Sequence, residues 1–151
     1  MYNPQKYPYK DFVTPHFQKF AKICLSDDDL KEINKLAEER VKAKMGEYHH
    51  KIDGGSEMKR NITGLKGEFA VEKLTGLKIV DRTVGNSCKY NKPDIEEYGV
   101  GIKSVTNGDY PVIFRDNSYP QIICICSNRC ENNVAVCGLA TEDVLDKYQS
   151  D

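Results

Sequence analysis

Pro93-Asp94-Ile95-Glu96-Glu97-Tyr98-Gly99-Val100-Gly101-Ile102-Lys103-Ser104-Val105 is the stretch on which the fold turns. Val100 to Val105 is strand-like, and Glu96-Glu97-Tyr98-Gly99 ahead of it is turn-like. The segment therefore predicts a β-hairpin with Asp94-Ile95 in its first arm. In the second arm Val100, Ile102 and Ser104 take one face, and Gly101, Lys103 and Val105 the other. The hairpin brings Asp94 and Lys103 to the same end or face of a sheet. A lysine in the middle of an apolar strand is costly unless an anion or a task accompanies it. Read as structure, the two residues are an Asp–Lys pair near a sheet edge. Read as chemistry, a lysine among carboxylates is what metal-assisted phosphodiester hydrolysis uses. The acids hold Mg²⁺ through hard oxygen ligands, and the lysine orients water or stabilises charge on the transferring phosphate.

Helices are expected ahead of this hairpin. Ser26 followed by Asp27, Asp28 and Asp29 is a strong helix start, with a capping hydroxyl and carboxylates at the positive end of the dipole. Leu30, Ile33, Ala37, Val41, Met45 and Tyr48 then recur at three- and four-residue steps, which predicts a helix from about Asp27 to Tyr48. His49 to Glu57, with Gly54-Gly55, reads as a mobile loop. A second helix is expected from about Thr63, its cap, to Leu74, with Gly76 as the stop. On it Leu65, Phe69 and Glu72 share one face, and Glu68 lies on the flank of that buried stripe. A carboxylate there is costly unless it meets a cation or faces a cleft, and Glu72, one turn on, is the alternative acid. For either residue the plain structural role is an exposed ion pair with Lys66, Lys73 or Lys78. The first 25 residues, with three prolines and three tyrosines, read as an irregular arm with a short helix around Phe17 to Cys24.

After Gly76 the period changes. Leu77 to Val80, Pro93 to Ile95, Val100 to Val105, Val112 to Phe114, Ile122 to Cys126 and Val134 to Leu139 are short strand-like runs. Asp143 to Tyr148 closes the chain as a helix capped by Thr141. Helices, then a run of strands, then a helix predict a single α/β or α+β domain over residues 1–151. Its central mixed sheet is flanked by helices, with an N-terminal helical extension over residues 1–60 and a core over 61–148.

The chain has 151 residues, 39% hydrophobic and 30% charged, with a formal net charge of −1. That length suits one self-supporting core, and the mixed composition argues against disorder. Ile122 to Cys126, the longest apolar run, is too short to span a bilayer, and MYNPQKYPYKDF has no signal-peptide centre. The expected setting is therefore cytoplasmic, with no membrane partner. Six cysteines without a signal read as reduced thiols. Cys124 and Cys126 alternate with Ile123 and Ile125 and read as core packing, with a zinc site from Cys124, Cys126, Cys130 and Cys137 as the minor alternative. His16, His49 and His50 show no metal-ligand spacing. Between Arg40 and Lys66 seven Lys/Arg stand against three acids, a local +4 that leaves −5 elsewhere. That basic segment either tracks a phosphate backbone or is a solvated face.

Gly64-x-x-Gly67-Glu68-x-Ala70, Pro93-Asp94-Ile95 and Gly101-Ile102-Lys103-Ser104, in that order, resemble the PD-(D/E)XK nuclease superfamily of restriction-endonuclease-like fold. Gln121 to Cys126, and Val136 to Leu145 beyond a polar turn, are similar to the last strands and closing helix of its small phage and bacterial members. The likeness runs from about Asn61 to Tyr148. It implies a nuclease that hydrolyses DNA by Mg²⁺- or Mn²⁺-activated water. Asp94 would be the central metal ligand, Lys103 the catalytic lysine, Glu68 the helix acid, and the Ile102 carbonyl part of the metal shell. Lys51, Lys59, Arg60 and Lys66 would contact nucleic acid, and a second copy of the chain is a further expected partner. Two departures stand out. Gly101 occupies the position of the usual Asp or Glu, so Glu68, Glu72, Glu96 or Glu97 would do that acid's work. Thr106 to Pro120 is too short and broken for the usual crossover helix. The other expectation is a module of this fold that has lost catalysis at Gly101 and binds nucleic acid or a protein.

Overall fold

In a computed structural model of the chain, the structure describes residues 21–45, 54–82, 94–95, 98–108 and 120–140. The elements are β1 (Ala21–Cys24), α1 (Asp27–Met45), α2 (Gly54–Thr75), β2 (Gly101–Thr106), β3 (Gln121–Cys126) and β4 (Asn133–Ala140). The strands form one mixed sheet in the order β1-β4-β3-β2. β2 runs parallel to β3, while β3–β4 and β4–β1 are antiparallel. The architecture is mixed α/β, with α2 packed on the sheet and α1 packed on α2.

α1 starts as its sequence dictates. Ser26 Oγ accepts the Asp29 N–H at 3.0 Å while Asp29 Oδ2 accepts the Ser26 N–H at 2.8 Å, a reciprocal capping box. Its buried stripe is Ile33, Leu36, Ala37 and Val41. α2 buries Leu65, Phe69, Ala70 and Val71, and a Lys73–Asp29 ion pair at 2.8 Å joins the two helices. Gly76, at φ +77°, ends α2 by donating its N–H to Glu72 O.

The core lies between the helices and one face of the sheet. Cys124, Cys126, Val134 and Val136 are fully packed there, joined by the partly buried Ile23, Ile102 and Ile122. Cys124 and Cys126 thus serve as core residues, and burial pushes their thiols up to about 12 and about 11. A bulge between Ile123 and Cys124 leaves Cys137 unmatched in the ladder, beside Gly138 at φ +140°.

Several boundaries differ from the sequence expectations. α2 begins at Gly54, so Gly54-Gly55 opens a helix and does not sit in a loop, and Thr63 lies inside it, donating its hydroxyl to Lys59 O. Ala21–Cys24, the end of the stretch expected to be a short helix around Phe17 to Cys24, is strand β1, in which Ile23 pairs with Val134; residues 17–20 lie outside the described residues. Leu25 N–H and the Asn132 side chain complete that join by reciprocal bonds at 2.7 and 2.8 Å. Leu77 to Val80 forms no strand; Val80 is buried while the Ile79 N–H is taken by Glu72. Tyr48, Lys51, the Val112–Phe114 run and the Thr141-capped helix lie outside the described residues.

Candidate active site

The site is built at the open edge of β2. Ile95 pairs with Val100 in an isolated antiparallel bridge, which is the hairpin expected around Glu96 to Gly99. Gly101 N–H donates to Pro120 O, and Asn107 N–H to Cys126 O, both at 2.9 Å on the β3 side. Peptide groups alternate along a strand, so the N–H and carbonyl of Ile102 point to the other edge. There Asp94 Oδ2 accepts the Ile102 N–H at 2.6 Å. Asp94 is exposed as a residue, yet desolvation of its carboxylate pushes its pKa up. The Ile102 N–H, its own backbone N–H and the Arg40 charge pull the other way.

Glu68 lies on α2, near enough to Asp94 for the two charges to interact. The close approach next to it comes from Gly67: a Cβ there would lie 1.7 Å from Ser104 Oγ and 2.9 Å from Ser104 Cβ. Only a glycine lets the helix lie this close to β2. The Glu68 side chain enters the protein, and its Oε2 is buried with no hydrogen-bond partner. Burial first, and then the negative charge of Asp94, push its carboxyl up to about 7; Asp81 and Glu72 add to this and Arg40 opposes it. An unpartnered buried carboxylate oxygen is expensive, and such groups concentrate where a site needs them.

Glu72 is committed elsewhere. It accepts the Ile79 N–H at 3.1 Å and binds the Arg82 guanidinium with both oxygens, at 3.4 and 3.1 Å. These bonds hold its pKa below the usual value against a desolvation cost. Arg82 also pairs with Glu32 and lies 5.3 Å over the Phe69 ring. Glu72 therefore ties residues 79–82 to the helices, with Arg82 as its partner and not Lys66, Lys73 or Lys78.

Lys103 is half-buried in β2, next to Ile102. Ile102 packs on the core and Ser104 meets Gly67, so Lys103 stands on the sheet face opposite α2. Among the described residues no ion pair joins it to Glu68 or Asp94; the cation acting on both is Arg40 of α1. Arg40 occupies the core-facing stripe of α1, after Ile33, Leu36 and Ala37, and donates from Nη2 to Asp81 O at 2.9 Å. Reading it as part of a basic run hid this role. The signal available was its step of three from Ala37 and four from Leu36. Lys59, Arg60 and Lys66 lie on α2, the first two exposed and the third half-buried, and Arg60 pairs with Glu57.

The donor set suits a hard divalent cation. Glu68 and Asp94 supply carboxylate oxygens, and the Ile102 carbonyl shares their edge. Among the described residues no three His, Cys, Asp or Glu side chains gather into a metal group. Mg²⁺ commonly needs only one or two carboxylates, filling its shell with backbone oxygen, water and substrate phosphate. No protein-family model, curated protein or solved structure matches this chain significantly. Among the described residues no helix is long and apolar enough to cross a membrane.

Proposed function

We propose that this chain is a Mg²⁺- or Mn²⁺-dependent nuclease with a restriction-endonuclease-like core, hydrolysing phosphodiester bonds of DNA. One observation carries this reading. Glu68 has a buried, unpartnered carboxylate oxygen whose charge is coupled to that of Asp94, and Asp94 is oriented by the Ile102 N–H. The order of the motifs supports it: a Glu-bearing helix, then the Asp94 arm of a hairpin, then the Lys103 strand.

Glu68, Asp94 and the Ile102 carbonyl would hold the ion. When bound, it would supply Lewis-acid polarisation and a water of lowered pKa. The remaining chemistry belongs to the chain. The Ile102 N–H fixes the Asp94 carboxylate before anything binds. With its carboxyl pushed up to about 7 by burial and by Asp94, Glu68 must release a proton before it can hold the ion. Lys103, one residue beyond Ile102, would position water from its own face of β2. Lys59, Arg60 and Lys66 along α2 would follow the substrate backbone.

A second reading rests on Gly101, which puts no acid on the face of β2 that carries Lys103. On that reading the fold binds nucleic acid or a protein without cutting. Incubating plasmid, linear and single-stranded DNA, and RNA, with Mg²⁺ or Mn²⁺ separates the two. The nuclease reading predicts DNA cleavage that falls at least about 100-fold in Asp94→Asn and Glu68→Gln, and falls in Lys103→Ala. Cleavage surviving Asp94→Asn would place the chemistry elsewhere. Binding of DNA without cleavage under every condition would favour the degenerate module.

A further inference from the structure

We infer that Arg40 is a phosphate-binding residue of the Glu68–Asp94 site: the arginine of α1 holds the nucleic-acid phosphate that the two carboxylates cannot approach alone. The inference rests on the nuclease reading of that site, and it starts from where the arginine sits. Arg40 is half-buried, three residues from Ala37 and four from Leu36 on the core-facing side of α1. Its Nη2 is tied to a neutral acceptor, the Asp81 carbonyl, at 2.9 Å. Its charge acts on both Glu68 and Asp94, but among the described residues it closes a salt bridge with neither. A guanidinium has five N–H donors in a fixed fork, and one bond to a carbonyl leaves most of them for another planar or tetrahedral anion.

The charges point to the same ligand. Glu68 and Asp94 ionised beside Arg40, with Asp81 also acting on Glu68, make the site net negative, which repels a phosphodiester. A divalent ion on the two carboxylates would offset that charge. A phosphate then meets the ion on one side and a guanidinium anchored by backbone on the other, the bidentate geometry in which arginine exceeds lysine. Among the described residues Arg40 is the cation whose charge acts on both carboxylates, while Lys103 takes the other face of β2.

The test uses the whole chain and a short duplex DNA in Ca²⁺, with binding measured by fluorescence anisotropy. Mn²⁺ binding without DNA is measured alongside by calorimetry. Arg40→Gln removes the charge but keeps an amide donor, and Arg40→Lys keeps the charge; thermal unfolding checks that each is folded. The expected result is a loss of about tenfold in DNA affinity for Arg40→Gln, partly restored in Arg40→Lys. Mn²⁺ affinity should be unchanged or tighter, because a like charge has gone, whereas Asp94→Asn should lose Mn²⁺. Folded Arg40→Gln protein that binds DNA as the wild type does overturns the assignment. So does loss of Mn²⁺ along with DNA, which would make Arg40 a prop for the carboxylates. Wild type that binds Mn²⁺ but no DNA removes the phosphate role and leaves the metal site standing. Wild type that binds no Mn²⁺ removes both.

Discussion

Burial penalises the charged form of Glu68, and the neighbouring carboxylates of Asp94, Asp81 and Glu72 add to that penalty. Its pKa is raised on folding to about 7 from the ordinary 4.5, so between these values the native state holds a proton that the unfolded chain has released. The stability this group contributes is full below the unfolded value of 4.5 and is lost as pH rises through about 7. Across that window the metal-free protein should lose about 3 kcal/mol, measured by urea unfolding between pH 4.5 and 8. Glu68→Gln should flatten the profile and equal or exceed the wild type at pH 8. A wild-type profile that rises through this window would show that Glu68 is ionised at no cost. At this scale the sequence revealed much of Glu68, because 100° per residue sets it on the flank of the Leu65–Phe69 stripe. Glu72 was less legible. Its partner Arg82 sits ten residues on, in a stretch whose Leu77-Lys78-Ile79-Val80 looks like a strand but forms none.

The contact that seats the site is α2 against β2, and Gly67 governs it. Gly67→Ala would place a methyl 1.7 Å from Ser104 Oγ, which can rotate away, and 2.9 Å from Ser104 Cβ, which cannot. The expected cost is about 3 kcal/mol by chemical denaturation, even after the gain in helix propensity. Gly67→Ala combined with Ser104→Gly should recover part of it, because the nearest remaining contact is Cys124 Cβ at 3.4 Å. A single variant as stable as wild type would mean that the helix sits further from the strand. The helices and inner strands were readable where local signals agree: the Ser26–Asp29 box, the Gly76 stop, and the alternation of β3 and β4. Elements that depend on partners were not. Ala21–Cys24 has too few residues to declare a strand and becomes one only opposite Val134 to Val136. Gly54-Gly55 looks like a breaker but opens a helix whose later turns are held by the core.

Over the whole molecule, near-neutral charge hides an uneven distribution. The basic segment from Arg40 to Lys66 spans the end of α1 and most of α2, and supplies both Arg40 and the helix that carries Glu68. A ligand that binds only the folded state raises stability by mass action, about 2.7 kcal/mol at 100 times its Kd. Mn²⁺ should therefore raise the melting temperature of the wild type at pH 8. The rise should shrink at pH 5.5, where the ion must first displace the Glu68 proton, and vanish in Asp94→Asn. An equal rise at both pH values would place the ion away from Glu68. The resemblance that suggests Asp94 and Lys103 is carried by short motifs in the two arms of one hairpin. Arg40 and Asp81 belong to the same corner only through the packing of α1, and no motif announces that.

The most direct measurement is an anomalous difference map from crystals grown with Mn²⁺. The account predicts one strong peak at the edge of β2, about 2.2 Å from a carboxylate oxygen of Glu68, one of Asp94 and the Ile102 carbonyl. No peak at that edge, or a peak that Glu68 and Asp94 do not share, would contradict it.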